Sequence, residues 1–453
     1  MTLLIKVLEI YKKNYVCSKC LGRLFSLLGT NTTNLERGTS LLLTLTMEAH
    51  ADYLSGEKER EQGALERLKL LAENANYISA QKVMDMEGLQ YNKPEVDYSC
   101  SLCHDILNNL DKYVDHALEI RKEYEINSFL VGASPDSDII NQEDILKSEL
   151  NLLEAESFKS HFNREVGKII SQKLGIPPNF TNPDIIFIYN LGFETFSINL
   201  NIKSLFIYGR YKKLLRGIPQ TKWICKNCQG KGCELCQFTG KQYETSVEEL
   251  ISPDFLEATK SSDSKFHGAG REDIDVRMIG TGRPFILELK RPKIRSVNLD
   301  ELEVKINQKN IKKVQIGDLR ITNKSEVIKI KKESEETRKC YKAIIKTYNS
   351  LKFKDFEEIL TTLKHTLENQ TISQRTPIRV VHRRADKIRE KKIFKIEGKY
   401  IESNLFEFII ESQGGTYIKE LISGDEGRTK PSFAEIFTFP VDCIELDVIE
   451  IFY

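Results

Sequence analysis

Eight of the ten cysteines in this chain fall into four Cys-x-x-Cys pairs: Cys17/Cys20, Cys100/Cys103, Cys225/Cys228 and Cys233/Cys236. Paired thiols of this kind more often hold metal than form disulfides in a cytosolic protein, and a cytoplasmic location is expected. Two of the pairs stand close together in "CKNCQGKGCELC", separated by a glycine-containing linker. That spacing lets four thiolates wrap one tetrahedral Zn²⁺, with no position left open for catalysis, so the expected site is structural. The competing reading is a set of reduced surface thiols or a redox pair. The other two pairs flank the region from Cys20 to Cys100. Joined in one site, they would clamp its two ends and close a long loop. Cys340 and Cys443 are left over.

With 453 residues the chain has room for two or three domains with cores of their own. Its 67 basic and 66 acidic residues nearly cancel, so any nucleic-acid binding must come from local patches. One such patch is Arg375–Lys399, with ten Lys/Arg against three Asp/Glu. No apolar run approaches the roughly 18 residues that a membrane span needs. The start, "MTLLIKVLEIYKKNYVC", is too charged for a signal peptide.

Three regions follow from the texture of the chain. Residues 1–125 predict a helical region carrying the outer cysteine pairs, because "TSLLLTLTMEAHADYL" and "GALERLKLLAENANYISAQKVM" place apolar residues at helical spacing. Residues 126–215 predict an α+β module. In it "SFLVGAS" reads as a strand and "SFKSHFNREVGKIISQKLG" as a helix. That helix has one face of Phe158, Phe162, Val166, Ile169 and Leu174, and Gly175, Pro177 and Pro178 stop it. "PDIIFIYNL", "FETFSINLN" and "SLFIYGR" read as further strands. Residues 216–453 form the third region, with the cysteine knuckle at 225–236, a Lys-rich stretch and apolar alternation in "SEVIKIKKE".

"FHGAGREDIDVRM" places three acids and two arginines in a glycine-flanked stretch just before the strand-like "PFILELKRPK". Three readings compete. Asp275 with Glu288 and Lys290 mimics a metal-dependent nuclease, where two carboxylates hold Mg²⁺ and the lysine helps activate water. Alternatively Asp273, kept ionised by a neighbouring arginine, acts without metal at an anomeric carbon. Such an enzyme needs a basic groove and an aromatic to meet an extruded base. The third reading is a salt-bridged surface loop, which would make the chain a non-catalytic RNA-binding protein.

"FHGAGREDIDVRMIGTGRPFILELKRPK" closely resembles the catalytic segment of the archaeal and eukaryotic tRNA pseudouridine synthases called Pus ten. "SLFIYGRYKKLLRGIPQTKW", "RTPIRVVHRRADKIR" and "GGTYIKELISGDEGRTKPS" resemble other motifs of the family, so the likeness covers essentially the whole chain. It implies an archaeal member with an α+β multidomain fold. The N-terminal zinc region would precede a THUMP module that binds tRNA, then a pseudouridine synthase domain with a mixed, mostly antiparallel sheet and a central cleft. Asp273 would be the catalytic aspartate. Tyr341 would stack on the target base, with Tyr348 the nearby alternative. Ile418 and Lys419 would be the family's apolar and basic pair, Lys419 pairing with Asp273, and Leu446 an apolar wall of the pocket. Arg277 would order the loop or meet a substrate phosphate, and Arg271 with Arg277 would frame Asp273 electrostatically. Glu272 and Asp275 would order the loop. The implied reaction isomerises uridine to pseudouridine in the T-loop of tRNA, at position 54, 55 or both. It needs no catalytic cofactor; structural zinc on one or both cysteine quartets, tRNA as partner and a monomeric state are expected.

Overall fold

The computed structural model describes residues 2–93, 98–193, 195–333 and 336–452. Glu194 within "FETFSINLN", Ser334 and Glu335 within the Lys-rich stretch, and the terminal Tyr453 lie outside them. The chain forms two compact units, residues 1–203 and 204–453. Among the described residues no helix is long and apolar enough to cross a membrane.

The first unit has one continuous core shared by its helices and a small sheet. Helix Asn34–Leu54 starts on a capping box: Thr33 Oγ1 accepts from the Glu36 amide at 3.1 Å, and the Glu36 carboxylate accepts from the Thr33 amide at 2.7 Å. It crosses the short helix Ser18–Arg23 at backbone contact. A Cβ on Gly22 would fall 1.7 Å from Asn34 O, and one on Gly38 1.9 Å from Ser18 O, so only glycine permits the crossing. Strands β1 (Phe129–Pro135), β2 (Ile185–Leu191) and β3 (Phe196–Ile202) form the sheet, with β1 parallel to β2 and β2 antiparallel to β3. Helices Ser137–Glu149 and Phe158–Leu174 make the crossover that a parallel pair requires. The second of these buries Phe158, Phe162, Val166 and Ile170. Ile169 and Leu174, expected on that face, are only partly covered. The fully buried Arg23 donates to Glu143 at 2.5 Å, and Glu143 also accepts from the Phe158 amide at 2.9 Å, which ties the helical region to the α+β module.

The second unit is built on a 10-stranded sheet. Its strands are β4 (Leu205–Lys213), β5 (Asp263–Gly268), β6 (Arg277–Lys290), β7 (Val314–Thr322), β8 (Arg338–Thr347), β9 (Thr371–Arg375), β10 (Ile388–Glu402), β11 (Leu405–Gln413), β12 (Thr429–Lys430) and β13 (Val441–Phe452). The order is β12-β9-β10-β11-β8-β13-β6-β4-β7, with β5 on β6. Every pairing is antiparallel except β13 with β6, which runs parallel over only Asp447↔Arg277 and Val448↔Met278. The sheet is therefore mixed and mostly antiparallel. Strand β4 corrects the sequence reading, which grouped "SLFIYGR" with the preceding module. Its two edges are taken by β6 and β7, and its apolar side chains enter the second unit's core.

That short parallel junction divides two cores. On one side β8, β10, β11 and β13 pack against helices Phe353–Leu367, Ile418–Ser423 and Phe433–Phe437. On the other, β4, β5, β6 and β7 pack against Val247–Thr259 and Leu299–Lys309. The loop "GREDIDV" precedes β6 at the junction and is flanked by both halves.

Candidate active site

The loop is fixed by its backbone. Lys213, fully buried at the end of β4, donates to the carbonyls of Asp273 and Ile274 at 3.0 Å each and of Ile218 at 2.9 Å. Burial, which disfavours the ammonium, lowers its pKa to about 8. Gly217 N donates to Ile274 O at 2.9 Å, and Arg216 donates to Asp275 O and Leu446 O at 2.8 Å each. The segment after β4 thus holds the loop against β13.

Beneath the loop, Glu272 is buried and bonded. It accepts from Tyr211 Oη at 2.9 Å and from Arg283 Nε at 2.8 Å, and Arg283 also donates to Ala269 O at 2.9 Å. The side chains of this ion pair are 0% and 2% exposed. Removing one partner leaves the other charge buried without compensation, at a cost of about 3–5 kcal/mol. Arg283→Met is therefore expected to lower the urea midpoint of the second unit by a loss of about that size, and an unchanged midpoint would show the pair to be dispensable.

Above the loop lies a cavity of about 410 Å³. Its lining brings together Asp273, Tyr341, Ile418, Lys419 and Leu446, which the sequence reading singled out, along with Arg271. Tyr341 and Val448 are cross-strand neighbours on β8 and β13, and Leu446 sits two pairs along, opposite Ala343 and on the same face. Tyr341 is buried, and that burial pushes its hydroxyl up to about 12. Tyr348 is 74% exposed, bonds Asp442 at 2.7 Å and does not line the cavity.

The ion pairing differs from expectation. Lys419 bonds Asp275, not Asp273. Burial would raise the Asp275 carboxyl, but the Lys419 ammonium outweighs it and brings the pKa below the ordinary value. The cation on Asp273 is Arg379, whose Nη2 lies 2.9 Å from Oδ2. Arg379 belongs to the helical turn Ile378–Arg383 and is itself held by the buried Glu420, Nε to Oε1 at 2.5 Å. Burial works against the charge on Arg379, yet Glu420 and Asp273 together hold its pKa above the usual value. The exchange has a geometric cause: Val276 N donates to Asp273 O at 3.1 Å, so the chain turns and presents the two carboxylates to different neighbours.

Of the two expected framing arginines, Arg277 points elsewhere. Arg277 makes a two-point ion pair with Asp447, at 2.9 and 2.6 Å, and is absent from the cavity lining. Arg271 lines the cavity with its guanidinium 5.6 Å from the centre of the Trp223 ring. The nuclease constellation is not assembled. Glu288 is bonded to His267 at 2.9 Å and Ser204 at 3.2 Å, Lys290 to Asp263 at 2.7 Å, and Asp275 to Lys419. Among the described residues, only the cysteine quartets bring three or more metal-ligating side chains within 4.8 Å.

Both quartets could hold structural zinc. Four thiolates around a tetrahedral zinc at about 2.3 Å lie about 3.8 Å apart. Cys17 Sγ is 3.8 Å from Cys103 Sγ; in the knuckle Cys225–Cys233, Cys228–Cys236 and Cys233–Cys236 measure 3.9, 3.8 and 3.7 Å. None of the eight is in a disulfide. Backbone amides aim at the sulfurs as they do around metal thiolates: Cys17 N to Cys100, Gly232 N to Cys228, and Gly240 N to Cys236, at 3.2, 3.2 and 3.3 Å.

Comparison with known proteins gives two family models. "Pus10, C-terminal" matches residues 206–451, and "Pus10 THUMP domain, archaeal" matches residues 113–190. The chain is 42% identical to a tRNA pseudouridine synthase Pus10 of Methanocaldococcus jannaschii, over 98% of this chain and 93% of the relative. The proteins of the same name from Methanopyrus kandleri and Thermofilum pendens are 41% and 37% identical, covering 98% and 96% of this chain and 97% and 92% of theirs. A solved Cbf5–Nop10–Gar1 complex aligns over 45% of both chains at 16% identity and a TM-score of 0.28.

Proposed function

Because this chain belongs to the Pus10 family of tRNA pseudouridine synthases, we propose that the cavity over the GRED loop is where it isomerises uridine, with Asp273 as the carboxylate that acts on the sugar. The protein is an enzyme, an isomerase acting on tRNA. The finer reading rests on one observation. Asp273 lines a cavity with an arginine on its carboxylate and apolar walls from Ile418, Leu446 and Val448.

The reaction breaks the N1–C1′ bond, turns the uracil over and joins C5 to C1′. An ionised carboxylate serves either route to this product, attack on C1′ or proton removal from the sugar. Arg379 fixes one oxygen of Asp273 in position. The apolar walls keep water from the detached base, and Tyr341 offers a ring face to it. We place the target uridine in the T-loop, at position 54, 55 or both, on the likeness of the motifs to the family. The basic Arg375–Lys399 stretch and the THUMP module serve tRNA binding, the chain works as a cytoplasmic monomer, and zinc on Cys17, Cys20, Cys100 and Cys103, and on Cys225, Cys228, Cys233 and Cys236, is structural.

Incubation with an unmodified tRNA transcript tritiated at uridine C5, without added divalent cation, tests this. Release of tritium to water is expected. Strand scission that needs Mg²⁺, or binding without either reaction, would contradict the reading.

A further inference from the structure

One basic side chain in the cavity has no part in the steps above. Lys339 lies two residues before Tyr341 on β8, so the two side chains leave the same face of the strand, and both line the cavity. Lys339 is 6% exposed, unusual for a lysine. Its Nζ lies against the catalytic loop: a Cβ built on Gly270 would come within 3.7 Å of it, and within 3.1 Å of Arg283 Nη1. Two cations and one carboxylate act on it from the elements packed around it. Arg283 faces it from β6 and Lys391 from β10, while Glu272 in the loop is already engaged by Arg283 and Tyr211. Its cross-strand partners are Ile451 on β13 and Ser412 on β11, whose buried hydroxyl has no hydrogen-bond partner among the described residues. Burial first, then Arg283 and Lys391, lower the Lys339 pKa to about 7, with Glu272 pulling the other way.

The chemistry has a vacancy of matching kind. Once C5 has bonded to C1′, C5 still carries its hydrogen, and N1 is joined to C6 by a double bond. Aromaticity returns only when that proton leaves. Asp273, released from the sugar once C5 is joined to C1′, is ion-paired with Arg379. Arg379 is held cationic, the Tyr341 hydroxyl is held protonated, and Lys419 is paired with Asp275, so none of these accepts a proton readily. Resting on the isomerase reading above, we propose that Lys339, as the neutral amine, removes the C5 proton in the final step. The C5–H electron pair moves into the C5–C6 bond, and the C6–N1 π pair returns to N1. N1 takes a proton from water, and the Lys339 ammonium returns its own to solvent. Nothing is oxidised or reduced, and product and substrate stay isomers.

The test compares full-length wild type, Lys339→Met and Lys339→Arg in single turnovers on tRNA carrying protium or deuterium at uridine C5. Lys339→Met keeps the aliphatic stem and is expected to slow product formation about a hundredfold, within the range of a lost general base. It should also show a primary isotope effect larger than wild type's, because proton removal, partly limiting in wild type, becomes fully so. Lys339→Arg keeps the charge but supplies no base, and should be as slow as Met. Wild type should speed up as pH rises through about 7, where the amine becomes neutral, and the variants should lose that rise. Full activity in Lys339→Met, or a loss rescued by Arg with no isotope effect, overturns the proposal and leaves the isomerase reading intact. Wild type that makes no pseudouridine overturns both. Should Lys339→Met fail to fold, the wild-type profile decides: a rate flat across pH 7 overturns the proposal.

Discussion

Cys20→Ser is expected to unfold the first unit. Cys20 is fully buried beside Cys17, Cys100 and Cys103, and the four sulfurs come from segments some eighty residues apart that a metal would close into one loop. Structural zinc contributes on the order of 10 kcal/mol in small zinc modules, which matches or exceeds the roughly 5–15 kcal/mol by which a domain is stable. A buried hydroxyl in place of the thiolate leaves a three-ligand site inside the core. Zinc per chain should fall by one atom, and amide exchange across residues 2–203 should lose its protection while the second unit keeps its own. Cys228→Ser makes the contrast. The knuckle is half-exposed, so its loss should release one zinc with no change in exchange elsewhere in the second unit. If wild type bound no zinc, or Cys20→Ser melted like wild type, the quartet would not be a metal clamp.

Local pattern was enough for some parts of this molecule. The helix Phe158–Leu174 stops at Gly175, whose φ of 67° is the left-handed conformation that glycine favours, where the sequence places its end. The knuckle Cys225, Cys228, Cys233 and Cys236 could be read from spacing, because tetrahedral ligation dictates it, whereas the fold is what joins Cys17 and Cys20 to Cys100 and Cys103. Other parts depended on contacts that no local pattern carries. "SEVIKIKKE" alternates like a strand but forms the helix Lys324–Glu333, which buries Val327 and Ile330 and leaves Ile328 66% exposed. The site shows the same limit. Asp273 stood out as a carboxylate in a glycine-flanked loop. The cavity lining of Tyr341, Ile418, Lys419 and Leu446 was named from the motifs, but the groups that hold the loop and its carboxylates, at residues 213, 216, 283 and 379, had no role assigned from sequence. Arg379 sat within a stretch read as basic and as a motif of the family, with no role given to the residue itself. Which of several cations meets which of two adjacent carboxylates is decided by the turn at Asp273–Val276 and by Glu420 holding Arg379, a tertiary matter.

Asp273→Asn is expected to lower pseudouridine formation by about 10⁴, a loss of roughly 5.5 kcal/mol of transition-state stabilisation. The amide is nearly isosteric and can still face Arg379, so tRNA binding and melting temperature should stay close to wild type. What it lacks is the negative charge that either attacks C1′ or takes the sugar proton. Asp275→Asn removes a carboxylate of the same loop that is spoken for by Lys419, is 63% exposed and does not line the cavity. It should therefore keep activity within about tenfold, since a partly exposed ion pair contributes only about 1 kcal/mol. Single-turnover pseudouridine formation on one unmodified tRNA, measured side by side for the two variants, tests the assignment most directly. A collapse in Asp273→Asn with Asp275→Asn nearly intact is the predicted result; an active Asp273→Asn, or a collapse confined to Asp275→Asn, would contradict it.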